Sequence, residues 1–301
     1  MKGFNASLIP HEYRGKEGLI KWCKDSLEAE DVDSAMWMLN DLYKRYEMNI
    51  EQKLWVAWLY GNCYWGPTAW IVWNEFPDQD LVDPERLDKW HADHWRTLRY
   101  QTDCKWSKGH LPKMYESYHK WLDGRLQQDA IVDDFDYMWN EITKGWFKFG
   151  RYAAWFYLQT LNETCGYKLD PPNQWFGDHS GSRSHRTGFL IAMGQHQYVD
   201  KTLRLNEKEV KFWEGHAEEI RQEVGCTNFQ LETMLCSYKK LARERDSRYI
   251  GYYTDRQASE IRKSASDGWN GIDWSPWWDA REARGITESA SLLETQQLNL
   301  F

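Results

Sequence analysis

Apolar side chains recur at three- and four-residue intervals along much of the chain, and this spacing limits the possible folds more than any other feature. One such stripe lies between residues 32 and 46 and consists of Ala35, Met36, Leu39, Leu42, Tyr43 and Tyr46. Sustained two-residue alternation is absent, and no hairpin dipeptide separates β-rich runs. The sequence therefore predicts an all-α fold, organised as a single large helical domain.

Capping residues predict where several helices begin. Asp31 and Asn228 are the expected N-caps of the helices that follow them, and Asn206 is expected to cap a long charged helix over 207–224. Pro84 suits the first turn of another helix, because proline lacks the N–H group that this turn leaves unbonded anyway.

The same patterns divide the chain into three segments. Residues 1–50 are expected to form a helical lead-in, 51–263 a helical catalytic core, and 264–301 an irregular, tryptophan-rich C-terminal arm. The arm carries isolated tryptophans without a periodic apolar stripe, which is why we expect no regular helix there.

Composition excludes several classes of protein. The net charge of −8 argues against broad nonspecific nucleic-acid binding, although a local basic face stays compatible with it. The six cysteines form no CxxC pair, so neither a zinc ribbon nor a disulfide framework is supported. The P-loop, Rossmann and nucleophile-elbow motifs are absent. With no signal peptide and no long apolar run, we expect a soluble, cytoplasmic protein without a membrane partner.

The stretch 177–188 concentrates groups that bind anions, since it contains three glycines and three serines around two arginines and two histidines. Glycine lets the backbone approach a ligand closely, and serine hydroxyls and backbone N–H groups can cradle an anion. Arg183 and Arg186 can grip phosphate oxygens, and a helix expected to begin near His185 would add partial positive charge. We interpret the stretch as a phosphate or pyrophosphate site; an ordinary polar surface loop is the alternative.

Residues 96–120 form the most basic stretch, with aromatic residues interleaved. This mixture suits a nucleic-acid backbone with stacked bases, and two amphipathic helices with a charged outer face are the alternative. His91 and His94 share a helix face as metal ligands would, but no further ligand set is evident, so a solvated face is the alternative. Cys236 lies in an apolar helical pattern, which indicates packing more than nucleophilic catalysis.

Five motifs, taken in order, resemble a known enzyme family. They are Leu59–Trp70, Asn74–Asp78, Leu98–Asp103, Gly177–Arg186 and Glu232–Lys239. Together they resemble the α-glutamyl/putrescinyl-thymine pyrophosphorylases, also called amino-acid:DNA transferases, of bacteriophages with hypermodified thymine. The resemblance spans about residues 50–255 and does not extend to the first fifty residues or the tail.

The resemblance implies a fold, a substrate and a reaction. The family is helical, and a distant likeness to DNA glycosylases has been suggested for it. Its substrate is double-stranded phage DNA that carries pyrophosphorylated 5-hydroxymethyluracil, in the cytoplasm of the infected bacterium. The enzyme replaces the pyrophosphate with an amine from an amino acid or from putrescine. No cofactor and no metal ligands are expected, although a divalent metal accompanying the pyrophosphate is compatible with the reaction.

This reaction assigns roles to residues of the chain. A leaving pyrophosphate needs positive charge and oriented donors, for which the candidates are Ser180, Ser182, Arg183, Ser184, Arg186 and Lys239. The attacking amine must lose a proton, for which the candidates are Asp178, His185 and Glu232. An extruded base and the DNA backbone would be held by Asn62, Tyr64, Trp65, Trp70, Arg99, Lys105, Lys108 and Arg151. The alternative to a catalytic role for Glu232 is a structural one, in which its carboxylate is the buried partner of an arginine.

Two other functional classes stay open at this stage. A related helical enzyme of the glycosylase type would remove or exchange a base without a pyrophosphate leaving group. A non-catalytic helical subunit would bind DNA for the modification pathway without turning it over.

Overall fold

Helices account for all the regular secondary structure in the computed structural model, which describes residues 5–100, 109–179, 183–195, 204–243 and 247–286. No strand occurs in these ranges, so the prediction of an all-α fold is confirmed. None of the helices in them is long and apolar enough to span a bilayer.

Fourteen α-helices follow one another in the described ranges. They are α1 (Gly15–Glu28), α2 (Ser34–Arg45), α3 (Ile50–Cys63), α4 (Gly66–Glu75), α5 (Pro84–His94), α6 (His110–Leu122), α7 (Gln127–Ala130), α8 (Phe135–Gly145), α9 (Arg151–Thr164), α10 (Ser184–Ala192), α11 (Glu207–Val224), α12 (Asn228–Leu241), α13 (Tyr252–Ser264) and α14 (Ser275–Glu282). Short 3₁₀ turns and one π turn, Ala265–Trp269, lie between some of them.

The chain divides into two compact units, each made of two chain segments. Unit 1 comprises Met1–Ser34 and Pro171–Thr254, and unit 2 comprises Ala35–Asp170 and Asp255–Phe301. The three sequence segments proposed above stay a prediction, as does the distant likeness to DNA glycosylases.

Local capping signals located some helix ends correctly. Asn206 caps α11 as predicted, and its side chain and that of Glu209 form a reciprocal capping box. Pro84 occupies the first turn of α5, also as predicted.

Two predicted caps are wrong. Thr227, not Asn228, accepts the capping hydrogen bond of α12. Helix α2 begins only at Ser34, and Asp31 instead accepts hydrogen bonds from two backbone N–H groups at the start of α13. In both cases a tertiary partner uses the polar side chain that the local pattern had assigned to a cap.

Unit 2 is built around aromatic side chains of α3. Trp55 and Trp58 stack with their ring centroids 5.2 Å apart, and Trp58 also stacks on Tyr118 of α6 at 5.3 Å. Helix α9 approaches α3 closely, because a Cβ at Gly61 would lie 2.6 Å from the Cα of Tyr157. The chain has 20 tryptophans, and several of them therefore serve core packing. Tyr118, an aromatic residue of the basic stretch, is part of this core.

The C-terminal arm is more regular than the sequence suggested. Helix α14 forms within it, with Pro276 in the first turn. Trp277 of this helix is fully buried, and its ring would lie 2.8 Å from a Cβ at Gly66. Burial of isolated tryptophans against α4 thus orders a segment that lacks a helical stripe of its own.

Unit 1 depends on a close crossing of α10 and α12. At the crossing, a Cβ on Gly188 would lie 2.0 Å from the carbonyl oxygen of Leu235 and 3.3 Å from the backbone nitrogen of Lys239. Phe189 and Tyr238 are buried beside this contact, in a core to which α1 and α11 also contribute. Side chains one turn from the crossing on the two helices must consequently lie close together.

Replacing Gly188 by alanine tests this crossing. A methyl group there meets backbone, which cannot rotate away, so G188A should lower the free energy of unfolding by at least about 1–3 kcal/mol. Gly215 of α11 is the matched control, since it is exposed and a Cβ there meets nothing within 4 Å. G215A should raise stability by roughly 0.5–1 kcal/mol. Urea unfolding followed by circular dichroism measures both, and a G188A protein as stable as the parent would contradict the crossing.

Candidate active site

The loop before α10 is held in place by a carboxylate of α11. Glu214 accepts hydrogen bonds from the backbone N–H of Gln174, at 2.9 Å, and from that of Phe176. The Gln174 side chain donates to the Oδ1 atom of Asn228 at 2.9 Å, and Asn228 donates to the carbonyl oxygen of Pro171 at 2.8 Å. Burial raises the pKa of Glu214, although both N–H groups act in the opposite direction.

This loop orients His185 at the first turn of α10. The Nε2–H of His185 donates to the carbonyl oxygen of Gln174 at 2.8 Å, and the imidazole stacks on the ring of Phe176 with centroids 5.8 Å apart. The other nitrogen, Nδ1, lies 3.2 Å from Oε1 of Glu232 on α12. The Nδ1 contact lacks the alignment of a hydrogen bond, so we treat it as an electrostatic contact.

Glu232 also meets a thiol from its own helix. Cys236 lies one turn further along α12, and its Sγ donates to the same Oε1 atom at 3.1 Å. Burial alone would raise the pKa of Glu232, but the contacts with His185 and Cys236 and the charge of Lys239 outweigh it and hold the pKa below its ordinary value. Burial raises the pKa of the Cys236 thiol. The sequence analysis expected packing at Cys236 and missed this contact.

Lys239 completes the buried polar face of α12. Its ammonium donates a hydrogen bond to the hydroxyl of Ser184, the first residue of α10. The residue is 7% exposed, and burial lowers the pKa of its ammonium group. A cation therefore stands at the N-terminus of α10, where the helix dipole also favours an anion.

Two arginines lie at the start of α10, one as its N-cap and one in its first turn. The Nη1 group of Arg186 donates to the carbonyl oxygen of Phe176 and lies 3.1 Å from Nδ1 of His179. Arg183 donates to the carbonyl oxygen of His179 at 3.0 Å. Asp178, just before that histidine, is half-buried, and its backbone N–H bonds to the preceding turn.

The structure thus brings most of the predicted pyrophosphate and proton-transfer residues together in unit 1. The described members of this group are Asp178, Arg183, Ser184, His185, Arg186, Glu232 and Lys239. Ser180 and Ser182 lie outside the described residues. Glu214 and Gln174 were missed, because no local pattern links a helix residue to a loop forty positions away.

The predicted DNA-contacting residues belong to unit 2 and have varied surroundings. Tyr64, the C-cap of α3, stacks on Phe156 with centroids 3.5 Å apart. Asn62 and Trp70 lie in the core, at 0% and 2% exposure, so their predicted base contacts stay predictions. Arg151 lies over the ring of Trp139 at 5.1 Å. Lys105 and Lys108 fall outside the described residues.

A cavity of about 340 Å³ in unit 2 combines aromatic and basic walls. Its lining residues are Trp65, Trp95, Arg96, Leu98, Arg99 and Tyr100. The Arg96 guanidinium lies 5.3 Å from the centroid of the Trp95 ring, and Arg99 forms a bidentate ion pair with Asp267. Aromatic faces beside guanidinium groups suit a nucleotide, whose base stacks while its phosphate pairs with arginine.

Comparison with known families shows to which family the chain belongs. Residues 23–247 match the profile of the amino acid:DNA transferases. The chain belongs to this family. The matched region contains the loop, α10, α11 and α12, and also the residues that line the unit 2 cavity. The resemblance read from five motifs is therefore confirmed.

A curated relative is the serinyltransferase of the Salmonella phage ViI. The two chains are 30% identical over 242 residues, which cover 70% of the present chain and 58% of the relative. The chain therefore spans less than two thirds of the length of that relative. No solved structure matches.

Loss of the Glu214 carboxylate should weaken the loop before α10. E214A leaves two backbone N–H groups without their acceptor, which should lower the free energy of unfolding by about 1–3 kcal/mol. E214Q keeps one acceptor oxygen and should lose less. E223A on the same helix is the control, because its pair with Lys24 at 3.6 Å is exposed and should contribute about 0–1 kcal/mol. Equal unfolding midpoints for E214A and E223A would show that the two hydrogen bonds from the loop to Glu214, the Glu214 clamp, do not stabilise the protein.

Proposed function

We propose that the protein is a phage enzyme that transfers an amino acid to pyrophosphorylated 5-hydroxymethyluracil in double-stranded DNA. The observation that carries this proposal is the cation cluster at the start of α10, formed by Arg183, Arg186 and Lys239, with half-buried Asp178 on the loop that leads into it. Family membership and the serinyltransferase relative support the same reaction class. Serine is the first amine to test, with glycine, glutamate and putrescine beside it.

The step is a substitution at the exocyclic methylene carbon of the base. The lone pair of the amine nitrogen forms the new C–N bond while the C–O bond to pyrophosphate breaks, and pyrophosphate leaves with that electron pair. Lys239 and the two arginines stabilise the charge that grows on the leaving oxygen. Donors that are already fixed by the loop and by Ser184 need little reorganisation during the reaction.

Asp178 is the proposed proton acceptor for the amine. It stands on the loop between the Glu214 clamp and the arginine contacts at His179. The two other candidates have roles within the fold, since Nε2 of His185 is bonded to the loop backbone and Glu232 contacts both His185 and Cys236. The proton that leaves the amine during C–N bond formation goes to the Asp178 carboxylate.

Reconstitution followed by nucleoside mass spectrometry tests the reaction. Purified protein is incubated with DNA that carries pyrophosphorylated 5-hydroxymethyluracil and with each amine separately. The expected result is an aminated thymidine together with stoichiometric pyrophosphate. A free base or an abasic site would support a glycosylase-like enzyme instead, and DNA binding with an unchanged activated base would support a non-catalytic subunit.

R183A should slow this reaction about 100-fold or more, the usual effect of removing one fixed donor to a developing anion. D178N should slow it as well, because the amide cannot accept the proton. K211A is the control, since Lys211 is an exposed cation on α11. Single-turnover rates at saturating DNA measure the effect, and equal rates for R183A and K211A would refute the assignment of the leaving-group site.

The unit 2 cavity is proposed to hold a nucleotide of the DNA substrate. R96A removes one guanidinium from its wall, so it should weaken DNA binding and reduce the slope of log affinity against log salt by about 1. K89A is the control, because Lys89 is an exposed cation of α5 that pairs with Asp93. Fluorescence anisotropy over a salt series measures both slopes, and an unchanged slope in R96A would contradict the cavity as a DNA contact.

A further inference from the structure

Three potential metal ligands from two helices meet beside the cation cluster of unit 1. They are Nδ1 of His185, a carboxylate oxygen of Glu232 and Sγ of Cys236, and these atoms all lie within 4.8 Å of one another. Ligand atoms around a tetrahedral zinc ion lie roughly 3–4 Å apart, given metal–ligand distances of about 2.0–2.3 Å. Small side-chain rotations would therefore place all three on one ion.

The buried His185 ring carries the observation that points to a cation. The residue is 8% exposed, and its Nε2–H donates to the Gln174 carbonyl. The other ring nitrogen, Nδ1, is buried without a hydrogen-bond partner and lies 3.2 Å from Oε1 of Glu232. A buried nitrogen without a hydrogen bond, set against a carboxylate oxygen, is an arrangement that a shared cation would satisfy.

The surroundings of His185 match those of a metal-binding histidine. Such a histidine usually donates its second N–H to a carbonyl or carboxylate, which fixes the ring and its tautomer. Here the Gln174 carbonyl accepts that bond, and Glu214 in turn holds the Gln174 backbone. The crossing at Gly188 fixes the distance between α10 and α12. Glu232 and Cys236 lie one turn apart on the same face of α12.

We propose that His185, Glu232 and Cys236 bind a zinc ion through Nδ1, a carboxylate oxygen and the thiolate sulfur. This departs from the sequence-based expectation of no metal ligands. The mixed nitrogen, oxygen and sulfur donor set favours zinc over magnesium or calcium. Two anionic ligands balance the charge of the ion, so the nearby Lys239 ammonium is compatible with it.

Three protein ligands with a further position for water or substrate are typical of catalytic zinc. Among the described residues no fourth histidine, cysteine or carboxylate joins the group. An ion here would add positive charge one residue from Ser184, at the pyrophosphate site proposed above. The three side chains would then act as ligands, and Asp178 keeps the role of proton acceptor.

The test measures metal binding directly, so its outcome is independent of whether the transferase reaction occurs. Untagged protein is stripped with a chelator and reloaded with zinc, and metal content is measured by plasma mass spectrometry after desalting. We expect about one zinc per chain and a higher unfolding temperature. Cobalt substitution should give a sulfur-to-cobalt charge-transfer band in the near ultraviolet, which reports thiolate ligation in the folded parent protein without any variant.

C236S should lose the cobalt–thiolate band and bind zinc about 100-fold or more weakly. Removing a residue that only orients a metal ligand typically lowers metal affinity 10–100-fold, and removing a ligand itself should lower it at least as much. C165S is the matched control, because Cys165 is a half-buried free cysteine like Cys236 but lies in unit 2. It should retain both the band and the zinc. A folded parent protein that keeps no zinc after desalting and shows no charge-transfer band would overturn the proposal, and so would a C236S protein with parental zinc affinity.

Discussion

The contact between Gly188 and the Leu235 carbonyl is the constraint on which unit 1 depends. Because a side chain at position 188 would overlap backbone, α10 and α12 cross with their backbones in close contact. That crossing forces the polar residues one turn away into a shared buried space, where His185 meets Glu232 and Ser184 meets Lys239. A wider crossing would leave each of these groups hydrated and apart from the others. They would then lack the buried contacts on which the proposed chemistry depends.

Buried polar groups need partners, and the loop before α10 supplies them. Glu214 binds two loop N–H groups, and the loop in turn offers the Gln174 carbonyl to His185 and the Phe176 carbonyl to Arg186. The backbone of a connecting segment therefore orients both a ring and a guanidinium. The proposed anion site at the N-terminus of α10 would therefore have a fixed geometry.

Local signals predicted the helices well and the site only in part. Asn206 and the charged run after it sufficed to place α11. The arginines at positions 183 and 186 predicted an anion site, and this stays a prediction. Trp70 was expected to hold a base, yet the structure buries it against other tryptophans, since composition alone does not separate core aromatics from exposed ones. The Glu214 clamp depends on tertiary distance, which no local pattern encodes.

Hydrogen exchange with and without pyrophosphate tests most directly whether the start of α10 is the leaving-group site. The account predicts that pyrophosphate protects backbone amides in 174–179 and 183–188 and slows their exchange, while α5 and α14 exchange as before. The same protection should be reduced in R183A and retained in K211A. Unchanged exchange around α10 at saturating pyrophosphate, or protection confined to unit 2, would contradict the account.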